Sequence, residues 1–243
     1  MWIFSLRSRR YSRGPASTRR LRRGGFTLIE MLVVMTIMMI ITTVLLFKQS
    51  RFDSSTVLRS LAYGVALSVR QAQVYGTSVV GTSTTQVACG SGSYNVATGN
   101  CYASAYGLYF SAANPTSYVI FADLNNDGQW SANETVKTFS LSTGYTISDF
   151  CAKESATGIN DCWVGGPAPG LLGASASLTI MFKRPNPDAC FATNLKTTTC
   201  SSGGSPFYSS AYIQLESNGD TANAKSVSVT VPGEVSVCAT TGC

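Results

Sequence analysis

Histidine is absent from all 243 residues. Without an imidazole, neither a Ser–His nor a Cys–His catalytic pair can form, and no zinc site can use a histidine ligand. Charge is scarce too: Asp, Glu, Lys and Arg make up 12% of the chain, against about 25% in ordinary soluble proteins. Ser, Thr, Gly and Asn fill the gap, a balance that suits an exported, β-rich domain better than an intracellular enzyme. No acidic residue precedes Glu30, no cysteine precedes Cys89, and no C-x-x-C occurs anywhere. Between Pro15 and Pro115 there is no proline, so nothing in that interval forbids a long helix.

What is present is unevenly spread. Eight arginines (Arg7, Arg9, Arg10, Arg13, Arg19, Arg20, Arg22 and Arg23) stand before Phe26. They account for the net charge of +6; the remainder holds 10 Lys and Arg against 12 Asp and Glu. A basic tail can bind nucleic acid, but one abutting an apolar run reads as topogenic, because positive flanks stay on the cytoplasmic side. No nucleic-acid contact is expected from the rest of the chain.

The apolar run Phe26–Phe47 is long enough, as a helix, to match a bilayer core of about 30 Å. Its one carboxylate is Glu30. A secretory signal would have a shorter core and an A-x-A-like site after it; "LLFKQSRF" offers none, so the run reads as an anchor. Beyond it, Leu58, Leu61, Ala62, Val65, Val69 and Ala72 recur at helical spacing and predict an amphipathic continuation to about Gly76, a candidate C-cap. The two stretches can be one helix, or Asp53 or Ser54 can cap a second.

From Thr77 onward the sequence breaks into short β-type runs: "TSVVGT", "YGLYFS", "YVIFAD", "TVKTFSL", "YTISDF", "SLTIMFK", "AYIQLE", "KSVSVTV" and "EVSVCA". Turn-rich pieces such as "NNDG", "GGPAPG", "RPNPD" and "SSGGSP" divide them. Four segments follow: a basic leader at 1–25, a membrane helix at 26–47, its amphipathic continuation at 48–76, and an extracytoplasmic β domain at 77–243. The fold class is α+β, a long N-terminal helix packed on an antiparallel β domain.

All eight cysteines, Cys89, Cys101, Cys151, Cys162, Cys190, Cys200, Cys238 and Cys243, lie in that last segment. An even number in an exported domain predicts disulfides. Pairing in order gives four local clips, 89–101, 151–162, 190–200 and 238–243, among 105 possible connectivities.

"DLNNDGQWSANE" places Asp123, Asn125, Asp127, Gly128 and Glu134 as the D-x-[DN]-x-[DN]-G-x5-E calcium loop requires. Gln129 would add its carbonyl oxygen, and hard Ca²⁺ takes six to eight such oxygens. An Asn/Asp/Gly hairpin turn has the same letters, and the flanks look like strands. As catalytic groups, only a carboxylate pair such as Asp149 and Glu154 could be proposed. Exposed loop acids are commoner than catalytic ones, so the reading is that the protein is not an enzyme.

The stretch Gly25–Phe26–Thr27–Leu28–Ile29–Glu30, basic before and apolar after, resembles the processing site of type IV pilins and type II secretion pseudopilins. The resemblance implies cleavage after Gly25 by a membrane prepilin peptidase and methylation of the new Phe26 amine. It also implies an assembly role for Glu30, which would pair with a neighbour's amine. "ALSVRQAQVYGTSV", with Arg70, Ala72 and Gly76, is similar to the helix end of H-type pseudopilins and related minor fimbrial pilins. "YVIFADLNNDG" and "MFKRPNPDACF" resemble parts of that group's β domain. The absence of a proline near the end of the apolar run favours a minor subunit or pseudopilin over a major pilin.

The function implied is a structural subunit of a type IV pilus or a type II secretion pseudopilus. Its partners would be other pilin subunits, the prepilin peptidase, the inner-membrane assembly platform and the membrane. It would sit as a single-pass inner-membrane protein and then enter a periplasmic or cell-surface filament. The alternative is a membrane-anchored extracellular adhesin that never polymerises.

Overall fold

The computed structural model describes residues 25–78, 83–84, 87–88, 104–165, 170–197, 207–217 and 220–239. The chain divides into two compact units, Met1–Lys48 and Gln49–Cys243. A single helix assignment, α1 (Leu28–Thr77), covers both predicted helical segments, and no second helix starts at Asp53 or Ser54.

In the first unit α1 is apolar on every side, and each of its side chains from Leu28 to Leu46 is exposed. Leu28–Leu46 is long and apolar enough to cross a membrane. Three threonines interrupt it without adding unpaired polarity. The hydroxyl of Thr36 donates to Val33 O, that of Thr42 to Met38 O and that of Thr43 to Met39 O, at 2.7–2.8 Å. Such backbone bonding within the helix is what a hydrocarbon environment demands.

In the second unit α1 has two faces. Leu58, Ala62, Val65, Val69 and Ala72 are buried, as their spacing predicts, while Leu61 is half-buried at the margin. Gly76 is no C-cap: it lies within α1 and its φ is not positive. A Cβ there would sit 2.3 Å from Phe182 O, and its own carbonyl accepts from Arg184 N at 3.1 Å. Glycine is needed for close approach of helix and strand. Nearby, Arg70 Nη1 donates to Gly233 O and Gln73 Nε2 to Pro187 O, fastening α1 to the turn between the strands Asp220–Thr230 and Val235–Cys238 and to the start of the strand Asn186–Thr193.

Twelve strands follow among the described residues: β1 (Ser83–Thr84), β2 (Val87–Ala88), β3 (Ala105–Ser111), β4 (Ser117–Asp123), β5 (Thr135–Ser140), β6 (Tyr145–Glu154), β7 (Asn160–Val164), β8 (Ser177–Lys183), β9 (Asn186–Thr193), β10 (Tyr208–Ser217), β11 (Asp220–Thr230) and β12 (Val235–Cys238). Beside the small β1–β2 pair, they form two five-stranded antiparallel sheets. One has the order β12-β11-β10-β6-β7 and the other β5-β4-β3-β8-β9. The core they share with α1 includes Phe110, Phe150, Phe182, Phe191, Tyr208, Val227 and Val229, all fully buried.

Four strands lie outside the predicted set: the two-residue β1 and β2, and the longer β7 and β9. β7 contains "NDCWV", too short and polar to read as a strand. β9 runs through "NPDACFAT", where the prolines of "RPNPD" read as a break. Both are edge strands, the place where a missing N–H or a weak pattern is tolerated. Of "TSVVGT", Thr77 closes α1, and residues 79–82 lie outside the described set.

Candidate functional site: the helix start, the acidic loop and the cysteines

Gly25, Phe26 and Thr27 are exposed and non-helical, and the helix starts just after them. A peptidase can therefore reach the Gly25–Phe26 bond without unwinding a helix. The Thr27 hydroxyl accepts from Glu30 N at 3.2 Å, and Thr27 O accepts from Met31 N at 3.2 Å. Thr27 is thus the N-cap, with Glu30 in the first turn, where a negative charge favours the helix dipole. The sequence reading missed this cap, although T-x-x-E is a capping-box signature. Glu30 is exposed. Among the described residues it forms no ion pair.

The acidic loop links β4 to β5 and closes on itself. Asn126 and Gly128 both have positive φ, 59° and 74°, which gives the sharp turn expected at Gly128. Asp123 is buried, with its two oxygens accepting from Asp127 N and Gly128 N at 3.1 Å. Asn125 and Asp127 accept from Asp127 N and Gln129 N. Glu134 is also buried. One of its oxygens accepts from Leu124 N (3.0 Å) and Asn125 N (3.3 Å), the other from Ser131 N (3.0 Å) and Ser131 Oγ (2.7 Å).

The five predicted ligand positions thus fall in one loop, with the carboxylates turned to its own backbone. No three His, Cys, Asp or Glu side chains are placed to hold a metal among the described residues. The Asp123 carboxyl is pushed up to about 6, chiefly by burial; Gly128 N opposes this, and Glu134 and Asp127 add to it. Trp130 stacks on Tyr109 with ring centres 4.7 Å apart, and its Nε1 donates to Thr135 Oγ1. That anchors the end of the loop.

Cys151 and Cys162 are bonded across β6 and β7, where they are register partners. Cys190 and Cys238 are disulfide-bonded as well. Cys89, Cys101, Cys200 and Cys243 lie outside the described residues. The carboxylates Asp149 and Glu154 have separate surroundings. Glu154 is paired with Lys196 at 2.5 Å, which holds its carboxyl below the usual value. Asp149 faces Glu216 instead.

Residues 20–46 match the prokaryotic N-terminal methylation motif, a prepilin signal of the type IV pilin kind. The match covers the basic flank, the Gly25–Phe26 bond, Glu30 and the apolar helix, and so marks a type IV pilin-like or pseudopilin precursor. Such a signal implies processing by a prepilin peptidase and assembly with other pilin subunits. No curated protein and no solved structure matches the chain.

Proposed function

We propose that the protein is a minor pilin or pseudopilin, a structural subunit of a type IV pilus or a type II secretion pseudopilus. Cleavage after Gly25 leaves a methylated Phe26 amine at the edge of the inner membrane. One observation carries the reading. Of the four polar side chains in the apolar span, the three threonines are satisfied inside the helix, and Glu30 alone needs a partner from elsewhere. A charged residue at mid-helix costs about 2.5–3.5 kcal/mol on insertion scales. In a staggered bundle, the Phe26 amine of one subunit meets the Glu30 carboxylate of the next, so each offsets the other's desolvation and the pair sets the axial register. Replacing Glu30 with alanine tests this. Membrane insertion stays intact, because the segment becomes more apolar, while the amount of subunit in sheared filaments drops. Wild-type amounts in the filaments would rule the pairing out.

For the ectodomain we propose that the loop binds calcium through Asp123, Asn125, Asp127, the Gln129 carbonyl and Glu134. Crowding of Asp127 and Glu134 around the buried Asp123 is a charge load that a divalent cation relieves. Glu134 would have to exchange some of its four hydrogen bonds for the ion. At a hundredfold excess over Kd, binding to the folded state alone adds about 2.7 kcal/mol, and extracellular sites of this kind fill at about 10⁻⁴–10⁻³ M. The protein then melts higher in millimolar calcium than in chelator, with magnesium much weaker, and Asp123→Ala abolishes the difference. Equal melting temperatures would reduce the loop to a hydrogen-bonded hairpin turn.

A further inference from the structure

The outer face of the β12-β11-β10-β6-β7 sheet holds a carboxylate that neither the assembly helix nor the acidic loop uses. In β10, Ile213 and Leu215 are fully buried in the core, so Tyr212, Gln214 and Glu216 point to the opposite face by strand alternation. Gln214 is the register partner of Asp149 on β6. Directly opposed side chains on antiparallel strands have Cβ atoms about 4.5–5.5 Å apart.

Both residues carry an oxygen that is shut off from solvent and has no hydrogen-bond partner among the described residues: Asp149 Oδ1 and Gln214 Oε1. Gln214 as a whole is only 5% exposed. Two buried acceptors with no donor is an arrangement that proteins rarely leave unresolved, because each orphaned group retains its desolvation cost. The register also slips here. Between Gln214 and Leu215 the pairing moves from Asp149 to Ile147, and the extra residue, Ser148, sends its hydroxyl towards Gln214 O.

Among the described residues, the surrounding groups offer no cation. Glu216 on β10 is the charge that acts on Asp149, and Tyr212 on the same strand feels Asp149 in turn. On β7 the register partner is the apolar Val164, and the neighbouring Cys151 and Cys162 are locked in their disulfide. Across β10 from Asp149 lies Ser226 of β11, the other register partner of Gln214.

We propose that Asp149 and Gln214 form a proton-operated clasp between β6 and β10. When protonated, Asp149 donates its carboxyl hydrogen to the Gln214 amide oxygen, and one bond satisfies both acceptors. When ionised, it leaves both unpaired, places a second negative charge beside Glu216 and weakens this sheet. Burial first, and Glu216 second, push the Asp149 carboxyl up to about 6 from its ordinary 3.8, as the clasp requires. The sign follows: the folded protein binds this proton more tightly than the unfolded chain does. The clasp's contribution to stability is therefore fully present below about pH 4 and is lost as pH rises to about 6.

The competing arrangement is a reversed Gln214 amide whose nitrogen donates to an ionised Asp149. The two predict opposite signs. The test is denaturant unfolding of the full chain in detergent micelles, followed by the fluorescence of the core residue Trp163, for wild type and Asp149→Asn between pH 4 and 7. The comparison with the variant separates Asp149 from Asp123, whose carboxyl is also pushed up to about 6.

The clasp predicts that the wild-type folding constant, divided by that of the variant, rises up to about tenfold per pH unit on acidification through this range. It also predicts that Asp149→Asn, whose amide can donate at any pH, is at least as stable as wild type at pH 7. A ratio that stays flat or falls on acidification overturns the clasp, as does a clear loss of stability in the variant at pH 7. If the variant does not fold, the carboxyl carbon shift of Asp149 in the wild-type chain decides: a midpoint near 6 supports the clasp and one below 4 refutes it.

Discussion

The two units are built on opposite principles. In the first, no side chain of Leu28–Leu46 is buried within the chain, and the side-chain hydrogen bonds of that span reach three or four residues back. In the second, Leu58, Phe110, Phe150 and Phe191 share one core although they lie far apart in sequence. The first unit can satisfy its backbone alone but can bury its surface only in lipid or against other subunits. The second buries its apolar side chains in a core of its own. Changes in one should therefore alter maturation and assembly, and changes in the other stability, with little crossover.

The largest effect expected on the first side is all-or-none. Gly25→Val puts a β-branched side chain at the proposed cleavage position, so the chain should stay uncut, as read by its intact mass. Its second unit should melt as wild type does; a shift of several degrees would mean that the units are coupled. On the second side, Phe191→Ala empties a fully buried position and should cost about 3–5 kcal/mol, read by denaturant unfolding, while cleavage after Gly25 proceeds normally. Accumulation of uncut Phe191→Ala precursor would break the separation. Gly76→Ala is a finer test. Its Cβ would meet Phe182 O at 2.3 Å, which predicts about 1–3 kcal/mol of strain; a neutral result would show that α1 can shift away from β8. Arg70→Ala removes the hydrogen bond to Gly233 O and should cost about 1 kcal/mol, the smallest of the set.

The same contrast explains what could be read from the sequence. The methylation motif and the apolar span were legible because their signals are contiguous: a basic flank, a glycine, a carboxylate and an apolar helix within a few residues. The amphipathic face of α1 and most strands were legible through their period. The pair Cys151–Cys162 was named correctly because it closes a short loop between neighbouring strands. β7 and β9 were not legible, since what makes them strands is the partner beside each, β6 and β8, and not their own residues. Gly76 was misread for the same reason: its neighbour is Phe182, not the helix end. The sharp turn at Gly128 was legible, but not the hydrogen bonds that Glu134 makes to Leu124, Asn125 and Ser131. Nothing in the sequence singles out Gln214 as the residue facing Asp149, because register is a property of the folded sheet.

Anchoring without polymerisation would leave Glu30 without its partner and would favour an adhesin held by an uncut helix. Intact-mass and N-terminal peptide analysis of the protein purified from membranes of cells that express a prepilin peptidase separates the two. The account predicts a chain that begins at Phe26, with one methyl group on its amine and Glu30 unmodified. A chain that retains residues before Phe26, or one cut at another bond, would contradict it.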